Sequence, residues 1–248
     1  MHSMKPVLFH IGAVPVTAYA AFVALAFVAA WAVRRAEKAR LGFDRDPRQR
    51  YVGLGALLGA VLGAKLGMLL FTPPTHLWET LQQALSFDFT GKTVVGALIG
   101  GYVGVEIAKK WVGIRHSTGD AYAVALPLGQ AIGRLGCFFN GCCYGTPSDV
   151  PWATFVHGAL RHPVPLYESA LDLTLAAALW WTRHDPRPQG HLFRRYLVGY
   201  ATIRFVTEFW RGDPEVTLGP LSLVQWVCLV AACGFAALIV RGERASTQ

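Results

Sequence analysis

Seven apolar runs constrain the fold of this chain more than any other feature of its sequence. They lie at residues 13–33, 51–71, 93–108, 118–139, 165–181, 194–210 and 219–240 of 248. A helix that crosses a bilayer needs about 20 apolar residues, with leeway of a few. Only 15% of the residues are charged, against about 25% in an ordinary soluble domain. The sequence therefore predicts an all-α, polytopic membrane protein with seven transmembrane helices, folded as a single integral-membrane domain over residues 1–248.

Basic residues are distributed unequally between alternate connections. Sixteen Lys and Arg lie in the loops 34–50, 109–117 and 182–195 and in the tail after residue 240. The opposite side has four, which are Lys5, Lys92, Arg161 and Arg211. Because cytoplasmic loops carry the excess of basic residues, this bias predicts an N-terminus outside and a C-terminus in the cytoplasm. It also explains the net charge of +8 without a nucleic-acid partner.

Three cations, Lys65, Arg134 and Arg204, lie inside the apolar runs. A charge at the centre of a transmembrane helix costs about 2.5–3.5 kcal/mol on insertion scales, so an intramembrane charge indicates a functional site. Glu208 follows Arg204 by four residues, a spacing that permits an ion pair on one helical face. Simple neutralisation is an alternative for this pair, but it leaves Lys65 and Arg134 unexplained.

With the N-terminus outside, these cations fall toward the outer face of the membrane, as does the stretch G-R-L-G-C-F-F-N-G-C-C at 133–143. Arginine makes bidentate hydrogen bonds to phosphate, and glycine lets a ligand or a second helix approach the backbone closely. The sequence therefore predicts a basic, glycine-lined cavity that opens to the outer half of the bilayer. An anionic phospholipid headgroup fits such a cavity.

Three sequence blocks together resemble one enzyme family. They are G-R-L-G-C-F-F-N-G-C-C-Y-G at 133–145, R-H-P-x-x-L-Y-E at 161–168 and G-Y-x-x-x-R-F-x-x-E-F-x-R at 199–211. In this order they resemble the prolipoprotein diacylglyceryl transferases of the bacterial inner membrane. The resemblance implies transfer of a diacylglyceryl group from phosphatidylglycerol to the thiol of a lipobox cysteine in a secreted lipoprotein precursor, or to a related acceptor. It implies release of glycerol phosphate, an active site that faces the outer leaflet, and no metal or other cofactor.

The same resemblance assigns roles to individual residues. It makes Arg134, Arg204 and Glu208 the catalytic residues, since the family's arginines bind the lipid phosphate and stabilise its departure. It implies a substrate-binding role for Tyr19, Lys65, Gly96, Cys137, Asn140, Gly145, Tyr200 and Arg211.

Departures from the family pattern concern the groups that would activate the acceptor thiol. Val95 stands where the family commonly has a histidine proposed as the base, and Cys137 and Cys142 replace an Asn and a Glu of its signature. His157 and His162 are candidates for a replacement base on the outer side. These differences predict a divergent, cysteine-rich branch of the family.

The outer cysteines Cys137, Cys142 and Cys143 allow three interpretations, which are packing, a redox or disulfide role, and participation in catalysis. Three thiols without well-spaced histidines are a weak zinc signal. For the whole protein, the alternatives are a lipid-binding or transport protein without catalysis and a membrane thiol oxidoreductase. A transporter predicts an internal repeat, which residues 1–117 and 118–248 do not show, and an oxidoreductase predicts a C-x-x-C pair, which this sequence lacks.

Overall fold

A computed structural model of the chain describes residues 7–11, 14–71, 76–85, 94–212 and 217–246, and these are mostly helical. Lys5 and Lys92, two of the outer basic residues counted above, lie outside the described residues. The helices are α1 (Ala18–Arg40), α2 (Gln49–Phe71), α3 (Leu77–Leu85), α4 (Val94–Val112), α5 (Ala125–Asn140), α6 (Val164–Thr182), α7 (His191–Thr207) and α8 (Leu223–Ser246). Each of the seven predicted runs overlaps one of these helices, and α3 is an additional short helix.

Two helical segments in the described part of the chain are long and apolar enough to cross a membrane, Ala18–Arg40 and Leu223–Gly242. Few residues of either segment are buried, and many large apolar side chains elsewhere are exposed. The helical class is therefore confirmed. The number of spans and the orientation of the termini stay predictions.

Three short antiparallel hairpins accompany the helices. They pair β1 (Val7–Ile11) with β2 (Val14–Thr17), β3 (Thr154–Val156) with β4 (Ala159–Arg161), and β5 (Thr217–Leu218) with β6 (Leu221–Ser222). The first helix begins at Ala18 rather than at residue 13, because the preceding Val-Pro-Val-Thr segment forms a strand. β-branched residues favour extended backbone, and Pro15 lacks the N–H group that a helix interior uses.

Contacts divide the chain into two compact units. The first comprises residues 1–40, 117–214 and 224–248, and the second comprises 41–116 and 215–223. In the first unit α1 packs on α5, α5 on α6, and α6 on α7. The single domain predicted over residues 1–248 stays a prediction.

In the second unit α2 packs against α4 through glycines. A Cβ atom added at Gly59 would overlap the carbonyl oxygen of Gly100, and one added at Gly100 would overlap that of Gly59. Small residues at such a contact let two backbones approach closely. Further along α4, Lys109 Nζ lies 2.9 Å from Glu106 Oε1, a pairing that the spacing of three residues permits on one helical face.

In the first unit, a buried carboxylate fixes the start of α7. The Asp120 side chain accepts hydrogen bonds from the backbone N–H groups of Gly190 at 2.7 Å and Phe193 at 2.9 Å. These are among the first N–H groups of a helix, which have no partner within it. Asp120 lies in a 3₁₀ turn at Gly119–Tyr122, so α5 begins at Ala125, later than the predicted start at 118.

Candidate functional site

A buried cluster of charged residues joins three helices of the first unit. Arg134 comes from α5, Glu168 from the N-terminal part of α6, and Arg204 from the last turn of α7. Glu208 and Arg211 follow in the 3₁₀ turn that continues α7 and at its end. Glu168 is 2% exposed, and Arg204 and Glu208 are buried as well.

Glu168 is the centre of this cluster. Its Oε2 lies 2.7 Å from Arg134 Nε, and its Oε1 lies 3.7 Å from Arg211 Nη1 and 4.0 Å from Arg204 Nη1. The Thr207 hydroxyl donates a hydrogen bond to Oε1 at 3.2 Å. One carboxylate therefore lies among three guanidinium groups, one from α5 and two from the end of α7 and the turn that follows it.

Arg204 and Glu208 form the predicted ion pair, and Arg211 Nε lies 3.8 Å from Glu208 Oε2. Three arginines and two glutamates leave an excess of one positive charge among these five side chains. Buried charges persist only where they are paired and hydrogen-bonded. An excess of one cation, held by rigid helices, can neutralise part of the charge of an anionic ligand.

A loop after α5 ties this cluster to the neighbouring segments. Gly141 adopts a left-handed φ of 69° and ends α5, with Cys142 N–H bonded to the Cys137 carbonyl, as in a Schellman cap. Gly145 N–H then donates to the His162 carbonyl at 2.9 Å, and a Cβ atom at Gly145 would overlap His162. Gly145 also pairs with Arg211 in an isolated β-bridge. The three sequence blocks are therefore brought together in space.

Three thiols converge beside the cluster. The Sγ atoms of Cys137, Cys142 and Cys143 all lie within 4.8 Å of one another, and all three cysteines are half-buried. Cys143 has a left-handed φ of 58°, a backbone conformation that is uncommon for residues other than glycine.

The two thiols outside α5 have shifted pKa values in opposite directions. Hydrogen bonds with the other two thiols lower the pKa of Cys143, and the charges of Arg134 and Arg211 lower it further, against the effect of burial. The pKa of Cys142 is raised: its hydrogen bond with Cys137 lowers it, but its bond with Cys143 and its burial raise it more. Of these two thiols, Cys143 is therefore the one that loses its proton more readily.

A small pocket next to the thiols contains one of the candidate bases. Cys142, Tyr144 and His162 are among its lining residues. His162 Nδ1 lies 3.1 Å from the Tyr167 hydroxyl, and His157 Nε2 lies 3.0 Å from the Gly141 carbonyl. His162 is thus oriented by a side-chain partner and shares a pocket with Cys142.

The remaining predicted site residues lie at different places. Tyr200 is one helical turn before Arg204, and its buried hydroxyl has no hydrogen-bond partner among the described residues. The backbone of Tyr19 lies against Gly136 of α5, and Asn140 is exposed at the end of α5 beside Cys142.

Lys65 and Gly96 belong to the second unit, where Lys65 is half-buried in α2 and Gly96 is buried in α4. The Gly96 carbonyl lies where a Cβ atom at Gly63 would be. Val95, at the position of the family's proposed base, is half-buried at the start of α4. The roles assigned to these residues stay predictions.

Glu168, Thr207 and Asp172 were not among the predicted site residues. Asp172 is 1% exposed one turn after Glu168, and its Oδ1 has no hydrogen-bond partner within the described segments. Glu168 had a sequence signal, because it ends the R-H-P-x-x-L-Y-E block. Asp172 had one as well, because it is a charged residue inside the apolar run 165–181. Thr207 had none, since its importance comes from contacts between helices.

Comparisons with known proteins match nearly the whole chain. The family model described as "Prolipoprotein diacylglyceryl transferase" matches residues 6–241. Similar proteins named "Phosphatidylglycerol--prolipoprotein diacylglyceryl transferase" include one from Clostridium tetani, 30% identical over 91% of this chain and 93% of its own length. One from Pseudoalteromonas translucida is 32% identical over 99% of this chain and 95% of its own length. One from Bordetella avium is 37% identical over 73% of this chain and 72% of its own length. The chain therefore belongs to the prolipoprotein diacylglyceryl transferase family.

Proposed function

We propose that this chain transfers the diacylglyceryl group of phosphatidylglycerol, or of another anionic phospholipid, to the thiol of a lipobox cysteine in a secreted lipoprotein precursor or a related acceptor. The names of its relatives state phosphatidylglycerol and prolipoprotein as the two substrates. The observation that carries the proposal is the convergence of Arg134, Arg204 and Arg211 on Glu168. Such a buried cationic cluster suits the phosphate of a lipid headgroup.

The reaction exchanges one bond for another at a glyceryl carbon. The acceptor sulfur attacks the carbon that carries the phosphate ester, so a C–S bond forms as the C–O bond breaks. The electron pair of the C–O bond goes to the phosphate oxygen, and glycerol phosphate leaves. The thiol proton goes to a base, for which His162 is the candidate that lines the pocket beside Cys142.

The arginines assist this step because charge develops on the departing phosphate. Fixed cations aimed at that charge stabilise the transition state more than the ground state. Glu168 and Glu208 position the guanidinium groups and keep them from repelling one another. Removal of one such preorganised donor from an enzyme costs about 10²–10³ in turnover.

We further propose that the chain is a multi-pass protein of the bacterial inner membrane with seven spans, an outer N-terminus and a cytoplasmic C-terminus. The distribution of basic residues supports this topology. It places the arginine cluster toward the outer leaflet, where a secreted precursor emerges.

The test combines lipid binding with transfer. Arg134→Gln and Arg204→Gln should each lower transfer from phosphatidylglycerol to a lipobox peptide by about 100-fold or more and weaken binding of phosphatidylglycerol vesicles. Arg241→Gln is the control, because Arg241 is exposed in the last part of α8. Unchanged binding and transfer in both cluster variants would refute the proposal.

A further inference from the structure

The three thiols beside the arginine cluster have no role in the reaction described above. Cys137 lies in the last turn of α5, and the left-handed Gly141 turns the chain so that Cys142 and Cys143 come back beside it. Their Sγ atoms lie within 4.8 Å of one another. Tetrahedral zinc with Zn–S bonds of about 2.3 Å requires sulfur atoms about 3.8 Å apart, so small side-chain rotations bring the three thiols to bonding positions.

Thiolates are the ligands that select soft metals, and a site with three protein ligands leaves a tetrahedral zinc ion one open position. Structural zinc sites have four protein ligands, whereas catalytic ones keep the fourth for water or substrate. No further Cys, His, Asp or Glu of the described chain completes the group of three. The ligand count therefore matches a catalytic site.

We propose that Cys137, Cys142 and Cys143 bind a zinc ion whose fourth position takes the acceptor thiol. This inference rests on the proposed function for the identity of the acceptor. Coordination releases the thiol proton to the base, for which His162 is the candidate beside Cys142, because zinc binds the thiolate form. The bound sulfur then attacks the glyceryl carbon, and zinc remains Zn²⁺ throughout.

The site accounts for two features of the chain together. Val95 occupies the place of the family's proposed base, and a metal that lowers the pKa of a bound thiol allows a weaker base elsewhere, such as His162, to take its proton. Arg134 is one turn before Cys137 in α5, so the activated thiol and the cation that meets the departing phosphate share one helix end.

Metal content tests the site without reference to activity. Protein purified in detergent without chelators is analysed for zinc and copper by plasma mass spectrometry and for thiols by intact mass. We expect stoichiometric zinc in the wild type and in Cys233→Ala, whose cysteine is exposed in α8, and loss of zinc in Cys142→Ala and Cys143→Ala. Cys142→His should retain zinc, because imidazole is also a zinc ligand, and it separates ligand loss from misfolding.

Four results would each overturn the proposal, and the first three concern the wild type. They are a wild type with three free thiols and no bound metal after incubation with zinc, a mass two hydrogens lower that marks a disulfide, and stoichiometric copper in place of zinc. Equal zinc in the wild type and the Cys→Ala variants would also overturn it, since the metal would then lie elsewhere.

Cobalt substitution tests the fourth position. A lipobox peptide with a free thiol should strengthen the thiolate-to-cobalt absorption of the Co²⁺ protein, and the same peptide with serine in place of cysteine should not. Identical spectra with both peptides would refute acceptor binding at the metal. A protein that shows the cobalt response but transfers no diacylglyceryl group would refute the proposed function while the metal site stands.

Discussion

Replacement of Glu168 by glutamine tests whether this carboxylate holds the arginine cluster together. Its oxygens lie 2.7, 3.7 and 4.0 Å from nitrogens of Arg134, Arg211 and Arg204. At an effective dielectric constant of about 20, each contact is worth about 4–6 kcal/mol before desolvation. Desolvation offsets most of that sum, and loss of one partner from a buried ion pair costs about 3–5 kcal/mol. We expect Glu168→Gln to lower the free energy of unfolding by this amount.

The matched control is Glu106→Gln. Glu106 also pairs with a cation, Lys109, at 2.9 Å, but the Glu106 side chain is 39% exposed, so its loss should cost less than that of the buried Glu168. The assay is reversible unfolding in mixed micelles, followed by tryptophan fluorescence. Equal losses in the two variants would refute the reasoning, because burial and the number of partners would then not matter.

Three further predictions concern packing, helix capping and thiol chemistry. Gly100→Ala places a Cβ atom on a backbone carbonyl of α2 and should lower the free energy of unfolding by about 1–3 kcal/mol. Gly101→Ala should not lower it, because its Cβ atom meets neighbours at 3.5 Å or more. Equal unfolding midpoints for the two variants would contradict this. Asp120→Ala leaves two N–H groups at the start of α7 without their acceptor and should lower the free energy of unfolding by about 1–3 kcal/mol. Amide hydrogen exchange at the start of α7 should become faster, and both effects should be smaller in Asp120→Asn. In metal-free protein, the alkylation rate of Cys143 should reach half of its maximum at a lower pH than that of Cys142, because the pKa of Cys143 is lowered and that of Cys142 is raised. Peptide mass mapping distinguishes the two cysteines, and the reverse order would contradict the assignment.

Local sequence patterns predicted the helices because apolar run length and charge placement are properties of neighbouring residues. The Arg204–Glu208 pair was predicted for the same reason, since a spacing of four residues already places both side chains on one helical face. The short helix α3 was missed because it lies between the apolar runs and is too short to be one of them.

Contacts between distant segments could not be predicted in this way. Asp120 binds N–H groups 70 or more residues later, and no local spacing encodes such a contact. Glu168 becomes the centre of the site only when α5, α6 and α7 pack together. Likewise, the meeting of Cys137 with Cys142 and Cys143 depends on the left-handed turn at Gly141, although that glycine is itself a known signal for the end of a helix.

The most direct measurement is detection of both products of the reaction. Purified wild-type protein is incubated with phosphatidylglycerol and a lipobox peptide, and the mixture is analysed by mass spectrometry. The account predicts a peptide that carries the diacylglyceryl group on its cysteine sulfur and an equal amount of glycerol phosphate, both dependent on Arg134 and Arg204. A folded protein that binds the phospholipid but forms neither product, with or without zinc, would contradict it.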